Sequence, residues 1–368
     1  MKALFIVERN LYYKFYGPVI SELLSKGIQV HLLHLSASHL LQRSNNKAFY
    51  YPFLSQVPSF HNGTPIVASY RSDDELHAYI KQHDIHNIFS LQSRGSYHAD
   101  FTGVRWHTLQ HGIDTLVENG FDSDHLYVYT QSWIKESRLL VPAYTEVHDV
   151  GLYHLGPIAS RQEILAKYGL PDNRKFLFFA PLPFDGGSEY FFLGNNRFDR
   201  WCINRNLIKK EKSLLRELSQ TLHANGWDII LKSRFKRFLD QDYLGFGHVL
   251  YDETFFPSTV NELISISESV VCNLMPSALC TEALKLKKPY YVLHHPEHDK
   301  KLIPYMDQEI PKLFNPGLEK DFLSSNDLSW ALKMVQSQLP PQPHQRYISQ
   351  YLTPASGEDL SVFTAYLK

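Results

Sequence analysis

Cysteine is scarce in this chain. Cys202, Cys272 and Cys280 are the only three thiols in 368 residues, and their spacing matches neither a metal site nor a redox pair. A disulfide framework is excluded as the basis of the fold, and an odd few thiols suit a reducing cytoplasm. Neither sign of charge is in excess, with 37 basic against 38 acidic residues, so no global field draws the chain onto nucleic acid or an anionic membrane. Long apolar runs are also missing; none approaches the roughly 20 residues that span a bilayer. The opening MKALFIVERN offers only the short apolar run Ala3 to Val7 before Glu8, which reads as a first strand and not a secretory signal.

What the chain has is apolar and aromatic residues, 43% and 14% of the sequence. That is enough for two packed cores, and the length exceeds what one core usually supports. Strand and helix patterns alternate from the start. Ala3 to Val7 reads as a strand, Glu8 to Tyr16 as a loop, Val19 to Ser25 as a helix opened by Gly17-Pro18, and Ile28 to Leu35 as a second buried strand. Residues from about 36 to 65 are poorly patterned and are expected to hold an insertion that touches an acceptor. A helix over Asp73 to His83 follows, then strands at Asn87 to Leu91, Arg105 to Leu109, Leu126 to Thr130 and Val147 to Gly151. Leu155-Gly156-Pro157 is the expected hinge. The second half repeats the logic, with strands at Lys175 to Ala180, Asp228 to Leu231 and Val249 to Tyr251 and helices at Ser160 to Tyr168, Leu207 to Ala224, Thr259 to Ile266 and Asn326 to Gln336. The pattern predicts an α/β protein with two doubly wound Rossmann-like domains facing across a cleft, residues 1–155 and 156–340, with 341–368 as a terminal helix packing back on the first.

Ile264 to Leu293 is the most tightly organised stretch. A helix end leads into the strand Ser269 to Cys272, the turn Asn273 to Pro276, Ser277 as a helix N-cap, the helix Ala278 to Leu286 and the strand Pro289 to Leu293. A helix starting at the carboxyl end of a parallel strand points free amides and a positive dipole end at the crevice above the sheet, which suits a phosphate. Ser277 and Ala278 are therefore donor-binding candidates, though serine there also serves as an ordinary cap. Glu282 is expected to meet a ribose or sugar hydroxyl, or else to be a solvated helix residue. Lys232 and Arg234, directly after a buried strand, read as a diphosphate clamp or as a solvated turn. Gly186-Gly187 allows close approach of a donor or makes an ordinary turn. The run His294 to Asp299 lacks the i, i+4 geometry of a compact metal site and reads as loop, and no metal is expected.

On the first domain, His111 follows a buried strand and precedes Gly112, with Asp114 three residues on. An imidazole with a pKa near 6.5 is suited to take a proton from an acceptor hydroxyl, with Asp114 or Glu8 as the alternative base and a packed structural histidine as the other reading of His111. Arg94 and Ser96, on the loop after another strand, are placed on the acceptor side.

Several of these runs resemble a known family. Lys167-Tyr168-Gly169-Leu170 followed by Lys175 to Pro181 is similar to the strand and loop that open the second lobe of CDP-glycerol glycerophosphotransferases and related GT-B glycosyltransferases. Tyr251 to Leu293 resembles their helix, strand, turn, helix, KKP and strand block, and Gln110-His111-Gly112 resembles a His-Gly dipeptide of their first lobe. The chain departs in keeping only one serine between Asn273 and Ser277, and in having Lys232-Ser233-Arg234 where an Arg-x-His-Pro is common. The resemblance implies a metal-independent GT-B transferase that moves a sugar or polyol-phosphate from a nucleotide-activated donor to a saccharide or lipid-linked acceptor in polysaccharide, capsule or lipopolysaccharide biosynthesis. It implies a cytoplasmic location, with peripheral association at the inner face of the bacterial cell membrane left open. A nucleotide-sugar 2-epimerase and a non-catalytic nucleotide-sugar-binding protein share the layout.

Overall fold

The computed structural model describes residues 1–36, 57–98, 100–111, 122–137, 141–180, 212–213, 215–232, 241–250, 254–272, 278–292, 342–354, 357 and 359–367. The chain divides into two compact units. Met1–Pro157, Thr254–Ser258 and Ile348–Lys368 form the first, and Ile158–Glu253 with Thr259–Tyr347 form the second. Among the described residues no helix is long and apolar enough to cross a membrane.

The first unit is built on seven strands, β1 Lys2–Val7, β2 Gln29–Leu35, β3 Ile66–Tyr70, β4 Asn87–Ser90, β5 Arg105–Leu109, β6 His125–Val128 and β7 Glu146–Asp149, in the order β3-β2-β1-β4-β5-β6-β7. Every pairing is parallel. The second unit has five strands, β8 Lys175–Ala180, β9 Trp227–Lys232, β10 His248–Leu250, β11 Ser269–Cys272 and β12 Tyr290–Val292, in the order β10-β9-β8-β11-β12, again all parallel. Both sheets start in the middle and grow outward in both directions, which defines a doubly wound α/β fold with a topological switch point between β1 and β4 and another between β8 and β11. The near-continuous apolar runs KALFIV and KFLFFA are what such strands need, since each is buried on both faces.

Phe5, Phe89, His107 and His125 occupy directly opposed positions on β1, β4, β5 and β6. Their rings stack with centroids 4.9, 4.5 and 4.8 Å apart and planes within 16°. An imidazole is flat and, when neutral, joins such a column as an aromatic ring would. Burial drives the His107 pKa well below its ordinary value, which keeps it neutral there.

Two expected elements differ, and one strand was not expected. The helix read as Val19 to Ser25 begins earlier, with a 3₁₀ turn at Asn10–Tyr12 leading into α1, Tyr13–Ser25. Pro18, read as a helix opener, lies inside α1. Burial of Tyr12, Tyr13, Phe15 and Tyr16, each worth about 1.5–3 kcal/mol, offsets the lost backbone hydrogen bond. Strand β3 was hidden because four of its five residues are only partly covered or exposed, as on an edge. Among the described residues the terminal stretch is not a single helix; Gln342–Tyr347, a π turn Ile348–Leu352 and Val362–Ala365 are separate short pieces, with Pro354 and Gly357, at φ +81°, between the last two. The last two pieces dock on the first sheet's surroundings. The Trp133 indole donates to the Tyr351 carbonyl at 2.9 Å, Thr130 to the Gln350 carbonyl at 3.0 Å and Arg105 to the Tyr366 carbonyl at 3.1 Å, while Phe363 packs on Tyr127.

Phe256, from the short stretch Thr254–Ser258, stacks on Phe60 at 5.6 Å and lies against Gly17 of α1 so closely that a Cβ there would enter its ring. Gly17→Ala is therefore expected to destabilise by about 1–3 kcal/mol through overpacking, although alanine is the better helix former by about 1 kcal/mol. Thermal melts check it: in a Phe256→Ala background the same substitution should lose its effect, a coupling that an origin inside the helix itself would not produce.

Candidate functional site

The carboxyl edge of the first sheet gathers the polar side chains. Glu8 leaves β1 at the switch point and accepts hydrogen bonds from two tyrosines, Tyr12 on one oxygen and Tyr97 on the other, both at 3.3 Å. Tyr97 comes from the turn after β4, and its hydroxyl also meets Ser90 at 3.4 Å. Tyr16, one helical turn beyond Tyr12, donates to the Ile6 carbonyl at 2.9 Å and accepts from the Leu91 amide at 3.0 Å, tying α1 to both strands that flank the switch point.

His111 follows β5 on the same edge. Its neighbour Gln110 is fixed at three points, its amide on the Tyr127 carbonyl, its side-chain oxygen on the Tyr129 amide at 2.8 Å and its carbonyl on the Tyr153 hydroxyl at 2.9 Å. The His111 ring packs edge-on to Phe15 at 5.7 Å and beside Tyr12 at 6.4 Å, with His154 on Phe15 as well. Burial first, then the Arg9 charge and His154, bring its pKa down to about 4, against a hydrogen bond to the Leu109 backbone that favours the protonated form. The value near 6.5 expected from sequence is thus corrected, because the sequence did not show the enclosing rings or Arg9. Nδ1 is buried and has no hydrogen-bond partner among the described residues. A neutral imidazole keeps a lone pair on one ring nitrogen, which is the state a general base requires.

Arg94 is already engaged: its guanidinium meets Asp124 at 2.6 Å and Asp122 at 3.4 Å, joining the turn after β4 to the segment before β6. Ser96 is exposed in the same turn, its amide on the Ser93 carbonyl.

On the second unit, Lys232 is the last residue of β9 and is 5% exposed. Leu231 lies opposite Phe179, and Phe179 opposite Val271, so Lys232, Ala180 and Cys272 end their strands on one level. Two strand spacings, about 10 Å, therefore separate Lys232 from the end of β11. The helix Ala278–Lys285 follows β11 and carries Glu282, fully enclosed, on its second turn. Cys280 on that helix is likewise enclosed, its thiol pushed well up by burial, with Cys272 and Glu282 nearby. Asp114, Arg234, Ser277, Gly186 and Gly187 lie outside the described residues, as do the run His294 to Asp299 and the helix expected at Asn326 to Gln336; Ala278 is described in its backbone alone.

The motif Lys167-Tyr168-Gly169 has a structural use. Buried Glu262 accepts from Lys167 Nζ at 2.7 Å and the Tyr168 hydroxyl at 2.6 Å, pinning the helix Arg161–Tyr168 to the helix Thr259–Ile266, and Gly169 closes the first of these at φ +63°. Asp228 of β9 is a second node: burial opposes its charge, yet Arg174, His223 and His248 hold its carboxyl down to about 2. Sequence reading missed Tyr12, Tyr97, Arg9 and His154. The i, i+4 spacing of Tyr12 and Tyr16 was the available signal for the first, and it was lost when that stretch was read as loop.

Neither a protein-family model nor a curated protein matches the chain. Solved structures do. The wall teichoic acid polymerase TagF aligns at a TM-score of 0.58 and 13% identity over 99% of this chain and 86% of its own. A histidine-to-asparagine variant of it soaked with CDPG aligns at 0.59, also at 13% identity, over 99% and 86%. A glycosyltransferase from Rickettsia africae ESF-5 gives 0.48 at 9% identity over 99% and 96%, a score that adds nothing to the argument. At these identities the likeness shows the fold: two Rossmann-like α/β units of GT-B type, shared with the polymerase.

Proposed function

We propose that this protein is a transferase that moves a glycosyl or polyol-phosphate unit from a nucleotide-activated donor onto a cell-surface polysaccharide or lipid-linked acceptor. The observation that carries the reading is His111, a neutral imidazole at the carboxyl edge of the first sheet whose Nδ1 has no hydrogen-bond partner among the described residues. In the proposed step an acceptor hydroxyl attacks the anomeric carbon or phosphorus of the donor, its proton passes to the unprotonated nitrogen of the His111 ring, and the nucleotide leaves with the bonding electrons. The second unit takes the donor. Lys232, the last residue of its strand, and the amino end of the helix Ala278–Lys285 are the groups proposed for the departing phosphates, with Arg234, Ser277 and Gly186-Gly187 in the same role. The full enclosure of Glu282 counts against its expected contact with a ribose or sugar. Cation and helix end make a metal unnecessary for the step. The CDPG soaked into the polymerase of like fold makes a CDP-activated polyol the first donor to try. A lipid-linked acceptor would bring the protein to the inner face of the membrane.

A panel of CDP-, CMP- and UDP-activated donors, each with and without candidate acceptors, tests the reading. Free nucleotide released only when acceptor is present supports transfer. An altered donor sugar without acceptor indicates an isomerase, and donor binding with no turnover indicates a binding protein. Lys232→Ala should weaken donor binding at least about tenfold, about 1.4 kcal/mol, as measured by calorimetry. Turnover should survive chelator; loss on chelation with rescue by magnesium or manganese would show the helix-and-cation account to be wrong.

A further inference from the structure

The column of rings across the first sheet ends in a cluster that the proposed transfer does not use. His125, at the amino end of β6, lies opposite Glu146, at the amino end of the edge strand β7, and His148 stands two residues along on the same face. His125 Nδ1 is 3.1 Å from His148 Nε2 and 3.6 Å from Glu146 Oε2, and one ligand atom from each of the three lies within 4.8 Å of the others. Ligands held tetrahedrally 2.0–2.1 Å from a zinc ion stand about 3.3–3.4 Å apart, so the two measured spacings bracket the geometry of one shared ion. Both imidazoles are buried, 5% and 9% exposed, while Glu146 is open to solvent and gives an ion a way in. Tyr366 covers both rings at 5.0 and 4.3 Å. Of the charged groups nearby, Arg105 points to the Tyr366 carbonyl, and Asp124 offsets it.

We propose that His125, His148 and Glu146 form a binding site for a divalent transition-metal ion, zinc in the first instance, with water as the fourth ligand. Two imidazoles and a carboxylate suit zinc, cobalt or nickel better than magnesium or calcium, which prefer all-oxygen sets. The ion would join the edge strand to its neighbour beneath the segment that carries Tyr366. The site sits at the amino edge, a four-residue strand or about 13 Å from the carboxyl edge where His111 lies, so it acts on stability and not on turnover. Without an ion the same atoms form an N–H···N hydrogen bond, and the experiment separates the two.

Metal-free full-length protein is titrated with cobalt and then with zinc, alongside Glu146→Gln and His148→Gln. The expected result is one cobalt ion per chain with the intense visible absorption of tetrahedral cobalt, displaced by zinc, and a melting temperature raised by zinc in the wild type alone. Loss of the ligand His148 should weaken zinc by at least about 100-fold, beyond the 10- to 100-fold typical of an outer-shell partner. Because Glu146 is exposed, its variant folds whatever becomes of the histidine variant, and it should weaken zinc at least about tenfold. Absence of the cobalt spectrum, or equal binding by wild type and Glu146→Gln, would overturn the proposal, the second outcome by placing the ion elsewhere.

Discussion

Replacing His111 with alanine should lower turnover at least about a hundredfold while donor affinity and melting temperature stay close to wild type. The ring makes no hydrogen bond from Nδ1 among the described residues, and its ring contacts are an edge-on one with Phe15 and a tilted one with Tyr12, so little structural support is lost with it. The acceptor hydroxyl loses the group that takes its proton, and general bases contribute about 100- to 10,000-fold. The pH profile separates this from a packing role. With its pKa at about 4, His111 is in the base form throughout the neutral range, so kcat should be flat for this group between about pH 5.5 and 8 and fall only toward pH 4. An acid limb near 6.5 would mean that the ring is not held as described, and a variant keeping more than a tenth of wild-type turnover would remove His111 from the mechanism.

Acid should unfold the first unit before the second. His34 Nε2 and the Tyr13 hydroxyl share a hydrogen bond of 2.7 Å, and burial lowers the His34 pKa to about 4; His111 has about the same value, and His31 is lowered too. For a histidine whose folded pKa lies below its unfolded 6.5, the unfolded chain binds the extra proton. Stability is then complete above pH 6.5 and is lost as pH falls toward 4. Each such shift is on the order of 3 kcal/mol, so His34 and His111 together approach the 5–15 kcal/mol that holds a domain folded. On the second unit the shifted carboxylate runs the other way. Asp228, held at about 2 against an ordinary 3.8, keeps its contribution until the pH falls below about 4. Tryptophan fluorescence reads the two units apart, with Trp106 and Trp133 buried in the first and Trp227 in the second. Two transitions are expected, the first centred between about pH 4 and 6 and shifted to lower pH by His34→Gln. One common transition below pH 4 would count against it.

The fold was legible wherever burial on two faces forces a continuous apolar strand. Lys175 to Ala180 and Ser269 to Cys272 were read to the residue, and the helix read from Ser160 to Tyr168 has Ser160 as its N-cap, in a capping box with Glu163, and Gly169 as its left-handed end. Reading failed where tertiary burial overrode local signals. Gly17-Pro18 looked like a helix start, yet four aromatic side chains carry the helix back to Tyr13. Of the site, the sequence placed Glu8 and His111 after strands but held no sign that Tyr97 binds Glu8, since it lies 89 residues away. The pKa of His111 was illegible for the same reason: it depends on Phe15, Arg9 and His154, brought together only by the folded chain.

The docking of residues 348–367 on Thr130, Trp133 and Tyr127 sets an order for synthesis. At the usual 5–20 residues per second, the ribosome delivers that segment roughly 10 to 40 s after Pro157 has emerged. During that interval the whole seven-stranded sheet is out of the ribosome, while the Trp133 indole and the Thr130 hydroxyl still await their carbonyl partners. The amino-terminal unit is thus the last to be completed, and a nascent chain stalled before residue 348 would present a ready-made surface of aromatic rings to any chaperone waiting at the exit tunnel.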